Sequence, residues 1–272
     1  DGDSNPDRSI VALKFEFLRH SFIHDISIAH NGVAMAFDGV HGCTIERIGV
    51  FDGTATEQRV QFPPTSLNSK ATVAFNIRSG SGPGPSTYST FRGCNVNAGS
   101  NAFLLEQLKG GQTSYITIDG SGGWVQDIAG NCIVIDTTKD ESRATQINIK
   151  DFHTERLPRD SYFVHATDVD YLIMENIVGR TPSLPIVPND EDYKKWPKVR
   201  AYGCQRITLR NCDSFQTVEF DSWKGSLEAT LEDHLSIDFD RGSRVETFVF
   251  DNGVDVVRQT SKQIRTLLLR IP

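Results

Sequence analysis

The chain has 272 residues, a net charge of −7 and an apolar fraction of 38%. Nucleic-acid and anionic-membrane surfaces need concentrated Lys and Arg, so the charge argues against both as partners. No apolar run reaches the length of a membrane-spanning helix. Many Val, Ile, Thr and Phe residues, and the lack of a long 3.6-residue period, favour strands over helices.

The N-terminal third contains the first predicted strands. Residues 1–19 are interpreted as a lead-in segment, and alternating apolar residues predict strands at 24–28 and 43–48. Further strands are expected near 73–77 and 88–96. Residues 54–100 show no clear alternation of apolar and polar residues, and a loop insertion is predicted at about 54–70.

Five stretches in the middle and C-terminal parts of the chain can be aligned residue by residue. Each alternates apolar and polar residues, which places one set of side chains in a core and the other set outward. Their first residues are 31, 25, 35 and 30 positions apart, a spacing typical of solenoid repeats. The stretches begin at Ile116, Ile147, Leu172, Ile207 and Ile237.

Asp or Asn follows the fourth position in three of these stretches, at Asp151, Asn176 and Asn211. These residue types tolerate the left-handed backbone of a sharp corner. Stacked in successive coils, their side chains are expected to form a ladder of hydrogen bonds.

A second apolar strand recurs between the aligned stretches and is often closed by an acid. The closing acids are Asp38, Glu106, Asp136, Asp221 and Asp251. Two or three strands per coil predict an all-β solenoid in a single domain over 20–251. A second loop insertion is predicted at 180–198, and 252–272 is expected to cap the stack or contact another subunit.

Strands separated by Asn- or Gly-containing turns in this way resemble the right-handed parallel β-helix proteins of the pectate-lyase-like superfamily, which includes phage tailspike depolymerases. The resemblance covers most of residues 20–251. It implies a polysaccharide substrate, a homotrimer, and an extracellular, secreted or virion-associated location. It implies no cofactor, although the acidic run at 189–192 leaves Ca²⁺ open.

The outward fourth position of the aligned stretches forms a charged series. Its members are Asp119, Lys150, Glu175, Arg210 and Asp240. Strands in adjacent coils lie about 4.8 Å apart, so these side chains are expected to face one another. They form either cross-strand ion pairs on a solvated face or a polar track for a sugar chain.

Hydrolysis of a glycosidic bond needs two carboxylates at a suitable separation. The candidate catalytic residues are Asp136, Glu155, Asp168, Glu219 and Asp221. Each of the strand-closing acids is alternatively a turn-capping residue. A lyase acting by β-elimination on a uronate polymer is the second hypothesis, with His153 or Lys150 as base and Arg156 stabilising the carboxylate.

Candidate substrate-binding residues lie in two loops and nearby. They are His153, Arg156, Tyr193, Trp196 and Trp223. The aromatic faces suit the apolar face of a sugar ring, although they equally suit packing under the 180–198 loop. A third hypothesis is a non-catalytic carbohydrate-binding shaft or adhesin.

Five cysteines are an odd number, and none lies in a CxxC pair. Cys43, Cys132 and Cys212 fall at apolar strand or turn positions. We expect them to be buried thiols rather than metal ligands or nucleophiles.

Overall fold

The computed structural model of the chain describes residues 11–29, 32–51, 73–128, 130–137, 142–155, 161–180, 198–212, 215–220, 234–239, 245–251, 256–259 and 266–270. Within these ranges the chain forms 25 β-strands and no helix. The predicted all-β class is therefore confirmed. The strands belong to two large sheets, here called sheet A and sheet B.

Sheet A contains twelve of the described strands. They are β1 (Val11–Arg19), β3 (Val33–His41), β5 (Val73–Ser79), β6 (Ser86–Thr87), β9 (Asn101–Gln107), β10 (Thr113–Ser114), β13 (Ile133–Asp136), β16 (Tyr162–Thr167), β19 (Lys198–Tyr202), β21 (Phe215–Phe220), β23 (Val245–Asp251) and β24 (Val256–Gln259). Its main path follows chain order from β3 through β5, β9, β13, β16, β19 and β21 to β23 and β24.

Sheet B contains the other thirteen described strands. They are β2 (Phe22–Ala29), β4 (Thr44–Phe51), β7 (Thr90–Arg92), β8 (Asn95–Gly99), β11 (Ile116–Asp119), β12 (Val125–Ile128), β14 (Ala144–Lys150), β15 (His153–Glu155), β17 (Val169–Glu175), β18 (Val178–Arg180), β20 (Arg206–Arg210), β22 (His234–Phe239) and β25 (Thr266–Arg270). It has two strips. The first runs β7, β11, β14, β17, β20 and β22, and the second runs β8, β12, β15 and β18.

Neighbouring strands pair in parallel, with two exceptions among those described. Strands β24 and β25 pair antiparallel with β23 and β22, so an antiparallel strand ends the order of each sheet. The five aligned stretches are in register as predicted. Their first residues are paired along the series Ile116, Ile147, Leu172, Ile207 and Ile237.

A column of left-handed residues forms a corner directly after β14, β17 and β20, three strands of the first strip of sheet B. Asp151, Asn176 and Asn211 have φ angles of 53°, 53° and 49°. The Asn176 amide donates to Asp151 Oδ1 at 2.8 Å, and the Asn211 amide donates to Asn176 Oδ1 at 2.8 Å. The predicted corner and its hydrogen-bond ladder are both confirmed. Gly93, with φ of 57°, occupies the same corner between β7 and β8.

Both sheets contribute inward side chains to one hydrophobic core. Phe37 of sheet A meets Phe91 of sheet B edge to face, with ring centroids 5.4 Å apart. Phe75 and Phe103, on neighbouring strands of sheet A, stack at 4.8 Å. Full burial of one such side chain contributes about 1.5–3 kcal/mol, so these columns hold the sheets together.

All five cysteines are free thiols and buried, which confirms the prediction for Cys43, Cys132 and Cys212. The Cys212 thiol donates to the Arg210 carbonyl across the corner at Asn211, at 3.4 Å. Burial raises the pKa of the Cys94 thiol to about 12. The Cys94 thiol therefore stays protonated at neutral pH and fills space as a small side chain, with no reactive thiolate.

Candidate functional site

The outer face of the first strip of sheet B carries a row of alternating charges, here called the charged row. Each side chain is in register with the next one along the sheet. The row consists of Arg92, Asp119, Lys150, Glu175 and Arg210. The series predicted from the fourth position is thus confirmed over its four described members. Arg92 extends it by one strand, and Glu46 of β4, also expected from the sequence to precede the series, is in register with Arg92.

Asp119 is the most enclosed carboxylate of the charged row, at 6% exposure. Lys150 Nζ lies 3.1 Å from its Oδ2. The backbone N–H of Ser121 donates to its Oδ1 at 2.9 Å. Burial acts to raise the pKa of Asp119, but the bonds from Ser121 and Lys150 outweigh it and hold the pKa below its usual value. Asp119 is therefore ionised at neutral pH.

A second row on the same face lies two residues before the charged row, and we call it the middle row. It consists of Thr90, Thr117, Asn148, Ile173 and Thr208. The Asn148 amide donates to Thr117 Oγ1 at 3.4 Å. Members of both rows, from Thr90 to Arg210, line an open depression of about 380 Å³.

A third row, the aromatic row, lies two residues further back in sequence, where Tyr88 and Tyr115 occupy left-handed bends before β7 and β11 and the other members lie in strands. It consists of Tyr88, Tyr115, Gln146, Tyr171 and Arg206. The Tyr88 and Tyr115 rings stack with centroids 4.8 Å apart and planes 8° apart. The Arg206 guanidinium lies over the Tyr171 ring at 5.4 Å from its centroid. All three tyrosines are exposed, so this face offers aromatic surface beside charges and hydroxyls.

The outer face of sheet A carries a different polar group, here called the sheet A cluster: Tyr162, His165, Arg200 and Glu219. Arg200 donates from Nε and Nη2 to Glu219 Oε2, at 3.0 and 2.9 Å. The Tyr162 hydroxyl donates to the same oxygen at 2.9 Å. Burial, together with the neighbouring Glu219 charge, raises the pKa of Tyr162 to about 12. Three donors thus converge on one carboxylate oxygen.

The hydrogen bonds around His165 show which of its two ring nitrogens carries the proton. Asn131 Oδ1 accepts the backbone N–H of Tyr162 at 2.9 Å, which directs its amide nitrogen to His165 Nδ1 at 3.2 Å. Nδ1 is therefore the acceptor, and the proton of neutral His165 lies on Nε2. Burial and the Arg200 charge lower the pKa of His165. At neutral pH this side chain is therefore a neutral imidazole with Nε2 as its donor.

The candidate catalytic carboxylates lie in several parts of the fold. Asp136 ends β13 and Glu219 lies in β21, with β16 and β19 between them, which separates their strands by about 14 Å. Asp168 follows β16 with φ of 52°, and burial raises its pKa. Glu155 ends β15 of sheet B. Asp221 lies outside the described residues.

The candidate substrate-binding residues are largely beyond the described ranges. His153 begins β15, on the second strip of sheet B. Arg156, Tyr193, Trp196, Trp223 and the charged-series member Asp240 lie outside the described residues. Sequence reasoning did not single out Tyr115 and Tyr171. Each directly precedes an aligned stretch, and that position was the available signal.

Among the described residues, no group of three or more His, Cys, Asp and Glu side chains is arranged to hold a metal ion. The acidic run at 189–192, considered for Ca²⁺, is outside those ranges. The described part of the chain also contains no helix long and apolar enough to cross a membrane.

The sequence matches no family model, no curated protein and no solved structure. Function is therefore inferred from the side chains on the two outer faces.

Proposed function

We propose that the two sheets are the walls of a right-handed parallel β-helix of the pectate-lyase-like kind. Three observations support this architecture: the chain alternates between the sheets, left-handed residues occupy the corners in register, and one core is shared. A solenoid of this kind presents its outward residues as straight rows along its axis. Those rows form a long binding surface.

The protein binds a polysaccharide on the outer face of sheet B and hydrolyses it there. The observation that carries this proposal is the open depression lined by the charged and middle rows, with the aromatic row on the same strands beside the middle row. Hydroxyl and amide groups at Thr117 and Asn148 suit sugar hydroxyls, while tyrosine rings suit the apolar faces of pyranoses. Lys150 and Arg210 suit a carboxylate or sulfate substituent.

Two carboxylates of the charged row are placed for chemistry on a bound chain. Asp119 and Glu175 lie on β11 and β17, either side of β14, and both line the depression. Two strand spacings put their backbones about 9.6 Å apart. Inverting glycosidases hold their carboxyl groups roughly 6.5–9.5 Å apart, because a water molecule must fit beside the sugar. A backbone separation near the upper limit of that range is far wider than the roughly 5–5.5 Å between the carboxyl groups of a retaining pair, so it favours inversion over retention.

The environments of the two carboxylates suggest different roles. Asp119 is held ionised by Ser121 and Lys150, which suits the base that activates water. Glu175 is in register with Lys150 and Arg210 and lies on the other side of the bond to be cleaved. It is the candidate donor of a proton to the leaving oxygen.

The test measures new reducing ends and unsaturated uronates on polygalacturonate, alginate, hyaluronan and dextran. Reducing ends without unsaturation, lost in both Asp119→Asn and Glu175→Gln, are the expected result. Unsaturated products would replace hydrolysis with elimination. Cleavage that survives both substitutions would move the reaction away from this face.

A non-catalytic carbohydrate-binding shaft is the second candidate. It is favoured by the pairing within the charged row, where Lys150 lies 3.1 Å and Arg92 Nε 3.8 Å from Asp119 Oδ2. Charges that neutralise one another fit a stable binding surface as well as a reactive one. Retardation of the protein in a polymer gel without any cleavage would select this candidate.

A further inference from the structure

The aromatic row is interrupted at one strand. Tyr88 and Tyr115 stack at 4.8 Å, and the next position along the sheet is Gln146, followed by Tyr171. Tyr115 is adjacent to Gln146 because the residues that follow them, Ile116 and Ile147, are paired. Tyr115 and Tyr171 are thus two strand spacings apart, about 9.6 Å. That distance is twice the 4.8 Å that separates the ring centroids of Tyr88 and Tyr115.

The side chain at the interruption turns away from the row. Gln146 Nε2 donates to Asn148 Oδ1 at 3.1 Å, so its amide leans along β14 toward the middle row. The far face of Tyr115 is covered by Tyr88, and one face of Tyr171 is covered by Arg206 from the following strand. Because these partners come from the strands on the far sides of the two tyrosines, we infer that the remaining ring faces are directed toward the gap. We call the gap between Tyr115 and Tyr171, floored by Gln146, the aromatic slot.

We propose that the aromatic slot binds one pyranose ring between Tyr115 and Tyr171, and that the glycan therefore crosses sheet B along β14. This inference rests on the polysaccharide-binding function proposed above and deepens it. A ring in the slot continues the stack with the spacing already present between Tyr88 and Tyr115. Its plane is parallel to the tyrosine rings, so its neighbours in the chain leave sideways, along the strand.

The path along β14 leads from the slot to the carboxylates. Outward residues of β14 are Gln146, Asn148 and Lys150. Tyr115 and Tyr171 flank the first of them, and Asp119 and Glu175 flank the last. Four residues of a strand span about 13 Å, so the slot and the carboxylates engage neighbouring parts of one chain.

The same path defines the ligand. The slot offers two aromatic faces and an amide, which suits an uncharged sugar with an apolar face. Lys150, at the other end of the path, suits a unit with a carboxylate or sulfate substituent. The substrate class is therefore a glycan with a neutral pyranose near an acidic or neutral unit at the cleavage point.

Filling the slot is the sharpest test. Gln146→Tyr completes the aromatic row and occupies the gap, whereas Tyr115→Asn removes one wall while keeping a residue type that tolerates the φ of 56° there. Phe17→Asn is the matched control, since Phe17 is also an exposed aromatic side chain with a left-handed backbone, with φ of 54°, but lies in β1 of sheet A. Binding is measured by affinity electrophoresis in dextran, hyaluronan, polygalacturonate and alginate gels, and folding by the melting temperature.

The expected result is a melting temperature for Gln146→Tyr equal to or above that of the wild type, with a polymer Kd raised more than tenfold. Tyr115→Asn raises Kd about five- to tenfold, the value of one stacking contact. Phe17→Asn raises it less than twofold.

Two outcomes overturn the inference. If a folded Gln146→Tyr protein binds and cleaves as the wild type does, the slot proposal is wrong and the proposed hydrolase function is unaffected. Lack of wild-type retardation on every polymer removes both proposals together. If the slot variants lose binding but the wild type cleaves none of the polymers, the slot stands and the hydrolase falls.

Discussion

The outer faces of sheets A and B both carry charges and aromatic rings, but they arrange them in opposite ways. On sheet A, Glu219 Oε2 accepts three hydrogen bonds, and Tyr162 and Arg200 pack against each other with the guanidinium 4.4 Å from the ring centroid. On sheet B, Asp119 and Glu175 line an open depression. The lesson is that the perturbed pKa values of Tyr162 and His165 reflect burial and internal partners, while the rows on sheet B are the basis for proposing that face as the ligand-binding one.

The largest expected difference between the two faces is the effect of a substitution on the rate of hydrolysis. Asp119→Asn removes the proposed base, and hydrolysis is expected to fall by about 10²–10⁴-fold. The matched control is Glu219→Gln, which keeps the shape of a carboxylate on sheet A and should leave the cleavage rate within a few-fold of the wild type. Initial rates of reducing-end release measure both. Equal losses in the two variants would abolish the distinction between the faces.

Stability should show the opposite order, with the larger loss on sheet A and the smaller loss on sheet B. Glu219→Ala leaves Arg200 and the Tyr162 hydroxyl without their shared acceptor, and should lower the free energy of unfolding by about 1.5–3 kcal/mol. Glu175→Ala, on the open face, should cost less than about 1 kcal/mol. Urea denaturation of both variants provides the comparison. A larger loss at Glu175 would show that the charged row is the structural network.

The corner ladder offers a test that concerns the backbone as well as side chains. Asn176→Ala loses two ladder bonds and forces Ala into a left-handed conformation, so it should cost about 2–4 kcal/mol. Asn176→Gly loses only the bonds and should cost about 1–2 kcal/mol. Indistinguishable urea midpoints for the two variants would mean that the φ of 53° carries no strain.

The smallest effect is a pH dependence from His165. Its pKa is lowered in the folded protein, so the unfolded chain binds more protons between that lowered value and its usual value near 6.5. Stability from this group is complete above the usual value and is lost as the pH falls through that window. Arg200 opposes the charged imidazole, whereas Asp136 and Glu219 favour it. The fall in melting temperature from pH 7.5 to 5.5 should be smaller in His165→Gln, and an equal fall would contradict the assignment.

The sequence allowed the repeat to be predicted in detail. Five stretches aligned by their alternation proved to be in register, and the Asp and Asn residues after three of them proved to form the corner ladder. Both features depend on local patterns, namely a period of two and a preference for left-handed corners. The thiols of Cys43, Cys132 and Cys212 followed from the same apolar pattern.

The grouping of side chains on the faces was harder to predict because it depends on register between strands joined by connections of unequal length. Tyr162 and Lys198 are paired but 36 residues apart, with a register shift beside them, so the sheet A cluster was not evident from sequence. The charged row was recognised, yet Arg92 was missed because its strand has only three residues. Tyr115 and Tyr171 lie just before the aligned stretches and become a row only after the strands are stacked.

The most direct test of the account is hydrogen–deuterium exchange with and without the polymer that retards the protein most strongly in gels. Peptides covering β11, β14 and β17 should gain protection, while those covering β16 and β19 should exchange at unchanged rates. Protection confined to β16 and β19 would contradict the account and make the sheet A cluster the binding site.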